Sequence, residues 1–225
     1  MPTVATNDTA GFVPIFDGKS LVGWEGDTNY WRVEAGCMVG EVTPDKLLKQ
    51  NSFIIWHGGT TRDFELKAEY RVSLQGNSGI NYRSARVETN TAPFALRGYQ
   101  ADIDGYNSHT GQNYEERGRT FLAIRGQIAR VDADGKSRII GSLGSKDELA
   151  KFISPDWNEY HLIVRGNVMT HILNGHVMSV VVDDDPKGRA WDGLLGVQVH
   201  VGPPMKVEYR NLRLKTLPEV HSETR

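Results

Sequence analysis

Three segments with β-strand alternation carry side chains that can bind or react with a polar ligand, all on one face. Successive side chains on a strand point to opposite sides of a sheet, so every second residue shares a side. Residues 79–83, 99–103 and 195–200 show this pattern, and their polar positions are Asn81, Arg83, Gln100, Asp102, Gln198 and His200. Ordinary solvent-facing strands favour Thr, Lys, Glu and Ser. The mixture of amide, guanidinium, carboxylate and imidazole therefore predicts a polar-ligand site on one sheet.

The rest of the chain predicts the sheets that would hold this face. Residues 64–72 alternate strictly, and Asn174-Gly175 between 170–173 and 176–182 is typical of a tight hairpin. Ser145 and Glu148 form a capping-box pattern that predicts a short helix over 148–153, and Thr43-Pro44-Asp45 predicts another. With 24 glycines and 9 prolines between many short strands, we predict an all-β fold. Its architecture is a two-sheet antiparallel jelly-roll sandwich with one or two short helices.

Length and charge narrow the classes of function. We predict a flexible N-terminus over residues 1–11, one jelly-roll domain over 12–216 and a C-terminal tail over 217–225.

The net charge is −2 and no basic run occurs, which argues against a nucleic-acid partner. No apolar stretch approaches the ~20 residues of a membrane helix, so no membrane insertion is expected. Residues 1–11 show no signal-peptide core, and Cys37 is the only cysteine, so no internal disulfide forms.

A series of sequence blocks, in order from about residue 12 to 215, carries a family resemblance. The blocks are 16–24 (FDGKSLVGW), 31–36, 63–67, 76–80, 98–102, 157–160, 173–175, 193–198 and 207–213. In these blocks the chain resembles the 3-keto-disaccharide hydrolase domain family, long catalogued as a domain of unknown function. It departs at Gln198-Val199-His200, where the family often reads Gln-Asp-His, and at Gln100-Ala101-Asp102, where it often reads Glu-Val-Gln. Both departures keep polar residues on the same face.

The resemblance implies a concanavalin A-like jelly roll and cleavage of glycosides whose sugar was first oxidised to a 3-ketone. A sugar 3-oxidoreductase would then act upstream, and a periplasmic or secreted location is favoured. A 3-ketone acidifies the hydrogen on C2, so cleavage by hydrolysis or β-elimination needs a base near C2, an acid and a group that stabilises the enolate. Asp102 or His200 would be the base and the other the acid, while Arg83 would stabilise the enolate oxygen.

The remaining candidates are binding residues. Amides both donate and accept hydrogen bonds, so Asn77, Gln100 and Gln198 could hold sugar hydroxyls. Tyr114 and Trp56, in predicted loops, could stack on a sugar ring. Glu69, Asp102 and His200 are candidate ligands for a divalent metal; no metal-ligand motif supports them, so we predict no cofactor and leave a metal open.

Less specific interpretations of these residues stay open. Arg83 and Asp102 could form a cross-strand ion pair, and Asn77, between Gly76 and Gly79, could be a turn residue. His200 could be a half-exposed strand residue, and Glu69 a surface charge. The alternative function is a non-catalytic carbohydrate-binding module of lectin-like fold, in which neutral replacements of Asp102 and His200 would preserve binding. Sugar identity, linkage and oligomeric state are not predicted.

Overall fold

The computed structural model describes residues 9–87 and 92–219, which form seventeen strands and one helix. In chain order these are β1 (Val13–Pro14), β2 (Trp24–Glu25), β3 (Trp31–Glu34), β4 (Cys37–Val42), β5 (Ser52–Trp56), β6 (Phe64–Val72), β7 (Asn77–Arg86), β8 (Leu96–Asp104), β9 (Asn113–Glu116), β10 (Thr120–Ala123), β11 (Gln127–Val131), β12 (Ser137–Ser142), α1 (Lys146–Ala150), β13 (Asn158–Arg165), β14 (Val168–Leu173), β15 (His176–Asp183), β16 (Leu194–Val199) and β17 (Met205–Thr216).

The strands form two sheets. The large sheet has ten strands in the order β12-β11-β15-β14-β13-β6-β17-β4-β3, with β1 also paired to β17. The small sheet has seven strands in the order β10-β9-β8-β7-β16-β5-β2. Among the described strands every pairing is antiparallel except that of β11 with β15. The predicted fold class, a nearly all-β two-sheet sandwich with little helix, is confirmed.

Side-chain alternation places the core between the sheets. Leu66, Ala68 and Tyr70 of β6 in the large sheet belong to the same buried cluster as Tyr99 and Ala101 of β8 in the small sheet. Burial of one large apolar side chain stabilises a fold by about 1.5–3 kcal/mol. Because alternate residues of β8 enter this core, the intervening residues lie on the outer face of the small sheet.

Of three local elements predicted from short sequence patterns, the structure contains two. Asn174 and Gly175 have φ angles of 49° and 81° and form the hairpin between β14 and β15. Helix α1 begins after Ser145, whose hydroxyl accepts the Glu148 N–H while the Glu148 side chain accepts the Ser145 N–H. The predicted helix at Thr43 is wrong. There the chain makes one turn, closed by the Lys46 N–H on the Thr43 carbonyl, and one isolated turn lacks the cooperative bonds of a helix.

The predicted terminal segments lie largely outside the described residues. The described strands run from Val13 to Thr216. Residues 1–8 of the predicted N-terminal segment and 220–225 of the predicted tail lie outside the described residues. In the described ranges, no helix has the length and apolar character needed to cross a membrane.

Candidate functional site

A cavity of about 540 Å³ lies on the outer face of the small sheet. Strands β8 and β9 form its floor, the residues that follow β16 form one side, and the segment before β5 forms another. Its lining residues are Lys49, Gln50, Asn51, Asn77, Gln100, Asp102, His109, Gln112, Tyr114, Glu116, Arg117, Phe121, His200 and Val201. The cavity is therefore lined mainly by polar and charged groups, with two aromatic rings.

Strand register explains why the predicted residues meet here. In the pairing of β7 with β8, Gly79 lies opposite Asp102 and Asn81 lies opposite Gln100. In the pairing of β8 with β9, Gln100 lies opposite Tyr114. Opposite residues of an antiparallel pair share a face of the sheet. The alternation seen in the sequence thus becomes a set of neighbouring side chains on one surface.

Asp102 lies at the centre of the cavity floor and is only 8% exposed. Gln100 Nε2 donates to one carboxylate oxygen at 2.7 Å, and Gln112 Nε2 donates to the other at 2.5 Å. Gln198 Nε2 in turn donates to Gln100 Oε1 at 3.3 Å, which is consistent with this orientation of the Gln100 amide. The carboxyl group is thus held from both sides by amide donors.

Burial dominates the acid–base behaviour of Asp102. Removal from water raises its pKa to about 7, the two glutamine hydrogen bonds oppose this change, and the negative charges of Asp104 and Glu116 add to it. A carboxyl group with a pKa near neutrality exists in both protonation states at pH 7. It can therefore accept or deliver a proton under ordinary conditions.

A side chain at the position opposite Asp102 would displace Gln100. A Cβ atom at Gly79 would lie 2.6 Å from Gln100 Cγ and 2.7 Å from Gln100 Nε2. Because Gly79 has no side chain, the Gln100 side chain can lie across β7 and reach the Asp102 carboxylate. Gly79 is therefore part of the arrangement that holds Asp102, although it brings no functional group.

His200 and Asn77 lie together on the other side of the floor. His200 follows the last residue of β16, Asn77 is the first residue of β7, and both are half-buried in the cavity wall. Within the described residues, neither side chain makes a hydrogen bond to another protein group. The chain after His200 is fixed by Asn51, whose Oδ1 accepts the Val201 N–H at 3.0 Å and whose Nδ2 donates to Glu116 at 3.1 Å.

Sequence reasoning missed several cavity residues, of which Gln112 and Glu116 are the most important. Gln112, Tyr114 and Glu116 alternate along β9 and its approach, which is the signal that could have identified them. The others come from loops or from an edge strand: Lys49, Gln50, Asn51, His109, Arg117, Phe121 and Val201. The loop before Gln112 is anchored by the Asp104 carboxylate, which accepts three backbone N–H groups from residues 108–110 at 2.7–2.8 Å.

Arg83 is not in the cavity, and its predicted contact with an enolate is wrong. A register shift after Tyr82 and a φ of 44° at Arg83 turn its side chain away from the cavity face. Its guanidinium is fully buried and donates to the carbonyls of Arg62, Gly166 and Ala190 and to the Asp63 carboxylate. All of its N–H groups are used, so the role of Arg83 is to join segments.

Three other predicted residues also lie elsewhere. Gln198 is completely buried behind Gln100 and does not line the cavity. Trp56 packs on the core face of β5 and borders a separate surface depression with Phe16 and Val22. Glu69 lies on the large sheet, where its carboxylate contacts Arg210 at 2.7 Å and Asn211 at 2.6 Å.

The proposed metal-ligand set does not assemble. Asp102 and His200 line the cavity, but Glu69 is on the opposite sheet because β6 belongs to the large sheet. Within residues 9–87 and 92–219, no group of three or more His, Cys, Asp or Glu side chains is placed to hold a metal ion. Glu69 as a ligand together with Asp102 and His200 is therefore wrong.

Comparison with known proteins assigns the chain to a family. Residues 11–215 match the 3-keto-alpha-glucoside-1,2-lyase-like domain, so the chain belongs to that family. A 3-keto-disaccharide hydrolase from Bacteroides thetaiotaomicron is 34% identical in an alignment that covers 36% of this chain and 30% of that protein. The alignment therefore spans less than a third of the relative.

Solved structures show the same fold. A candidate glycosyl hydrolase from Parabacteroides distasonis has a TM-score of 0.57 at 18% identity, with 97% of this chain and 100% of that chain covered. The carbohydrate-binding module CBM66 from Bacillus subtilis has a TM-score of 0.54 at 14% identity, covering 86% and 96%. A Bacillus subtilis protein with a galectin-like fold has a TM-score of 0.57 at 12% identity, covering 89% and 92%. At these identities the likeness concerns the fold alone.

Proposed function

We propose that this protein cleaves 3-keto glycosides by β-elimination, with Asp102 as the base that removes the proton from C2 of the sugar. The observation that carries the proposal is the buried Asp102 carboxyl, held by Gln100 and Gln112 in a 540 Å³ cavity with a pKa of about 7. Family membership supplies the substrate class, since the matching domain is described by 3-keto-glucoside lyase chemistry.

The proposed reaction needs one base and one acid. The Asp102 carboxylate takes the C2 proton, and the electron pair of that bond is delocalised onto the C3 carbonyl as an enolate. The enolate then re-forms the carbonyl, makes the C1–C2 double bond and breaks the bond from C1 to its oxygen. We assign protonation of the departing oxygen to His200, the imidazole on the other side of the cavity floor. The products are an unsaturated 3-keto sugar and a free alcohol, and later addition of water completes a hydrolysis.

We assign stabilisation of the enolate to Asn77 instead of Arg83. Arg83 has no free N–H group, whereas the Asn77 amide lines the cavity beside His200 and makes no protein hydrogen bond within the described residues. We therefore propose that Asn77 Nδ2 donates to the C3 oxygen. Loss of one such donor costs about a hundredfold or more in kcat in comparable sites.

The substrate must be prepared by another enzyme. A 3-keto sugar forms by oxidation of a C3 hydroxyl, and this proposal requires a sugar 3-oxidoreductase to act first. The small carbohydrate is then the only partner that the cavity must recognise.

The direct test follows proton removal and bond cleavage separately. Wild-type protein is incubated with 3-keto disaccharides of several linkages in deuterated water, with and without added divalent metals. We expect release of the leaving sugar, appearance of an enone absorbance and exchange at C2 of recovered substrate or product. Cleavage without any exchange or enone would contradict elimination, and no cleavage of any linkage would contradict the function.

A non-catalytic carbohydrate-binding module is the second candidate, because a protein of that description shares the fold. A binding site has no need of a buried carboxyl that titrates near pH 7. This alternative would hold if Asp102→Asn and His200→Gln variants kept full ligand affinity and wild-type protein turned over no 3-keto glycoside.

A further inference from the structure

One row of cross-strand partners runs from the centre of the small sheet to its edge. Gln100 of β8 lies opposite Tyr114 of β9, and Tyr114 lies opposite Phe121 of β10, which is the edge strand. All three side chains line the cavity. Along this row the chemistry changes from an amide beside Asp102 to two aromatic rings at the sheet edge.

The two rings form a small apolar wall with an accessible surface. Their centroids are 5.2 Å apart, and the planes meet at 69° in an edge-to-face arrangement. Phe121 is 53% exposed, although it is a large apolar residue. Both rings line the cavity, and about half of the Phe121 surface stays accessible.

The cavity therefore has two chemically different sides. Asn77 and His200 lie on the side of β16, where Asn77 can meet the ketone oxygen and His200 can reach the C1 oxygen from one side, so that the group attached to this oxygen extends away from His200. Tyr114 and Phe121 lie on the opposite side, beyond Asp102 and Gln100, where no strand follows β10 in the described sheet. A glycoside with its 3-keto sugar over Asp102 would place its leaving group on one of these sides.

We propose that Tyr114 and Phe121 form the leaving-group subsite and that they select a leaving group containing a flat-faced ring. This inference rests on the proposed function and adds the orientation of the substrate and the class of its leaving group. Two kinds of leaving group have a ring with an apolar face: a second sugar and an aryl group. Loss of the Phe121 ring should therefore weaken binding of such a leaving group by up to about tenfold, the upper end of what one aromatic contact contributes.

The test compares three 3-keto glucosides that differ only in the leaving group: methyl, glucosyl and phenyl. The variants are Phe121→Ala, Phe121→Trp as the conservative change, and Ile139→Ala as a matched control on the large sheet, where Ile139 is 65% exposed. Both kcat/KM and the Kd of each ligand are measured, the Kd in the Asp102→Asn background so that binding is read without turnover.

For the ring-bearing substrates, we expect Phe121→Ala to lower kcat/KM and to raise Kd about tenfold. Phe121→Trp should leave both values close to those of wild type, because an aromatic ring remains. Ile139→Ala should change neither value. The methyl glycoside should respond less than about twofold to every variant. Comparison of glucosyl with phenyl then distinguishes a sugar from an aryl leaving group.

The outcomes separate the two proposals. Equal losses for methyl and ring-bearing ligands, or no loss at Phe121→Ala, would overturn the subsite. Ring-dependent binding that responds to Phe121 in a wild-type protein without turnover would keep the subsite and overturn the lyase function.

Discussion

The acid–base chemistry of Asp102 results from a balance between opposing effects. Burial destabilises the carboxylate, while Gln100 and Gln112 stabilise it through one hydrogen bond each. The same balance has a cost in stability. An unfolded aspartate ionises near pH 3.8, but folded Asp102 keeps its proton to about pH 7. Between these values the unfolded state binds fewer protons, so the free energy of unfolding falls as pH rises.

Replacing Asp102 with Asn should separate activity from stability. We expect kcat/KM to fall by more than about a thousandfold, because the base is lost. Between pH 5 and pH 8 the free energy of unfolding of wild type should fall by about 2 kcal/mol relative to that of the variant, because only the wild type has to form a buried carboxylate. Urea titrations at pH 5 and pH 8 measure the second effect, with exposed Asp192→Asn as the control. A stability difference between variant and wild type that stays the same from pH 5 to pH 8 would contradict the assigned burial cost.

The pH profile of the proposed reaction with wild-type protein tests the protonation state of Asp102. Only ionised Asp102 can take the C2 proton, so kcat/KM should increase about tenfold per pH unit on the acidic limb of the profile, which should end near pH 7. Stopped assays from pH 5 to pH 9 in one constant-ionic-strength buffer series give the profile. If the acidic limb has its midpoint near pH 4, an aspartate of ordinary pKa is responsible and the assignment to Asp102 is incorrect.

At the scale of the strands, Arg83 shows how one side chain can join distant segments. Its guanidinium contacts Arg62 before β6, Gly166 after β13 and Ala190 before β16. These contacts fix the ends of strands from both sheets. Asp63 accepts from the same group and also from the Gly166 N–H at 2.9 Å.

An Arg83→Met variant should lose stability but keep its catalytic constants. Removal of one partner from a buried ion pair costs about 3–5 kcal/mol, and the cavity does not contain Arg83. Denaturant unfolding gives the stability, and kcat/KM is measured at a temperature where the variant stays folded. Arg97→Met, at an exposed position of β8, is the control. A hundredfold loss of kcat/KM at unchanged stability would show instead that Arg83 takes part in catalysis.

Sequence patterns predicted side-chain directions well where a strand is regular. They failed where the backbone is irregular. The shared face of Gln100 and Asp102 was predictable because a side-chain period of two holds along an undisturbed strand. The direction of Arg83 was not, because a bulge reverses the alternation after Tyr82 and leaves no residue signature. Cavity residues such as Lys49 and His109 come from loops, whose positions depend on contacts distant in sequence.

At the scale of the whole molecule, the sandwich contains a buried imidazole that connects the core to the site. His171 of β14 is fully buried, and its Nε2 is 2.9 Å from the Tyr82 hydroxyl. Its Nδ1 lies 3.2 Å from the Gln112 carbonyl, and Asn113 Nδ2 donates to Tyr82 at 3.0 Å. A neutral imidazole that donates from Nδ1 and accepts at Nε2 satisfies these contacts, and burial lowers the pKa of His171 to about 3.

His171 should make the protein sensitive to acid. An unfolded histidine takes up a proton near pH 6.5, whereas folded His171 remains neutral to about pH 3. Between these values the unfolded state binds more protons, so stability falls as pH decreases, by about 4 kcal/mol over the full window. Urea titrations of wild type and His171→Gln at pH 4, 5, 6 and 7 isolate this effect by difference. An unchanged difference across that range would contradict it.

The pairing of Gln100 with Tyr114 has a consequence for how preparations of this protein are judged. A strand that is displaced by one residue presents its other face, so a slip between β8 and β9 would bring core side chains to the cavity and bury its polar ones. If the proposed activity is confirmed, the number of active sites counted by titration should therefore fall with the fraction of molecules in which β8 and β9 are misaligned.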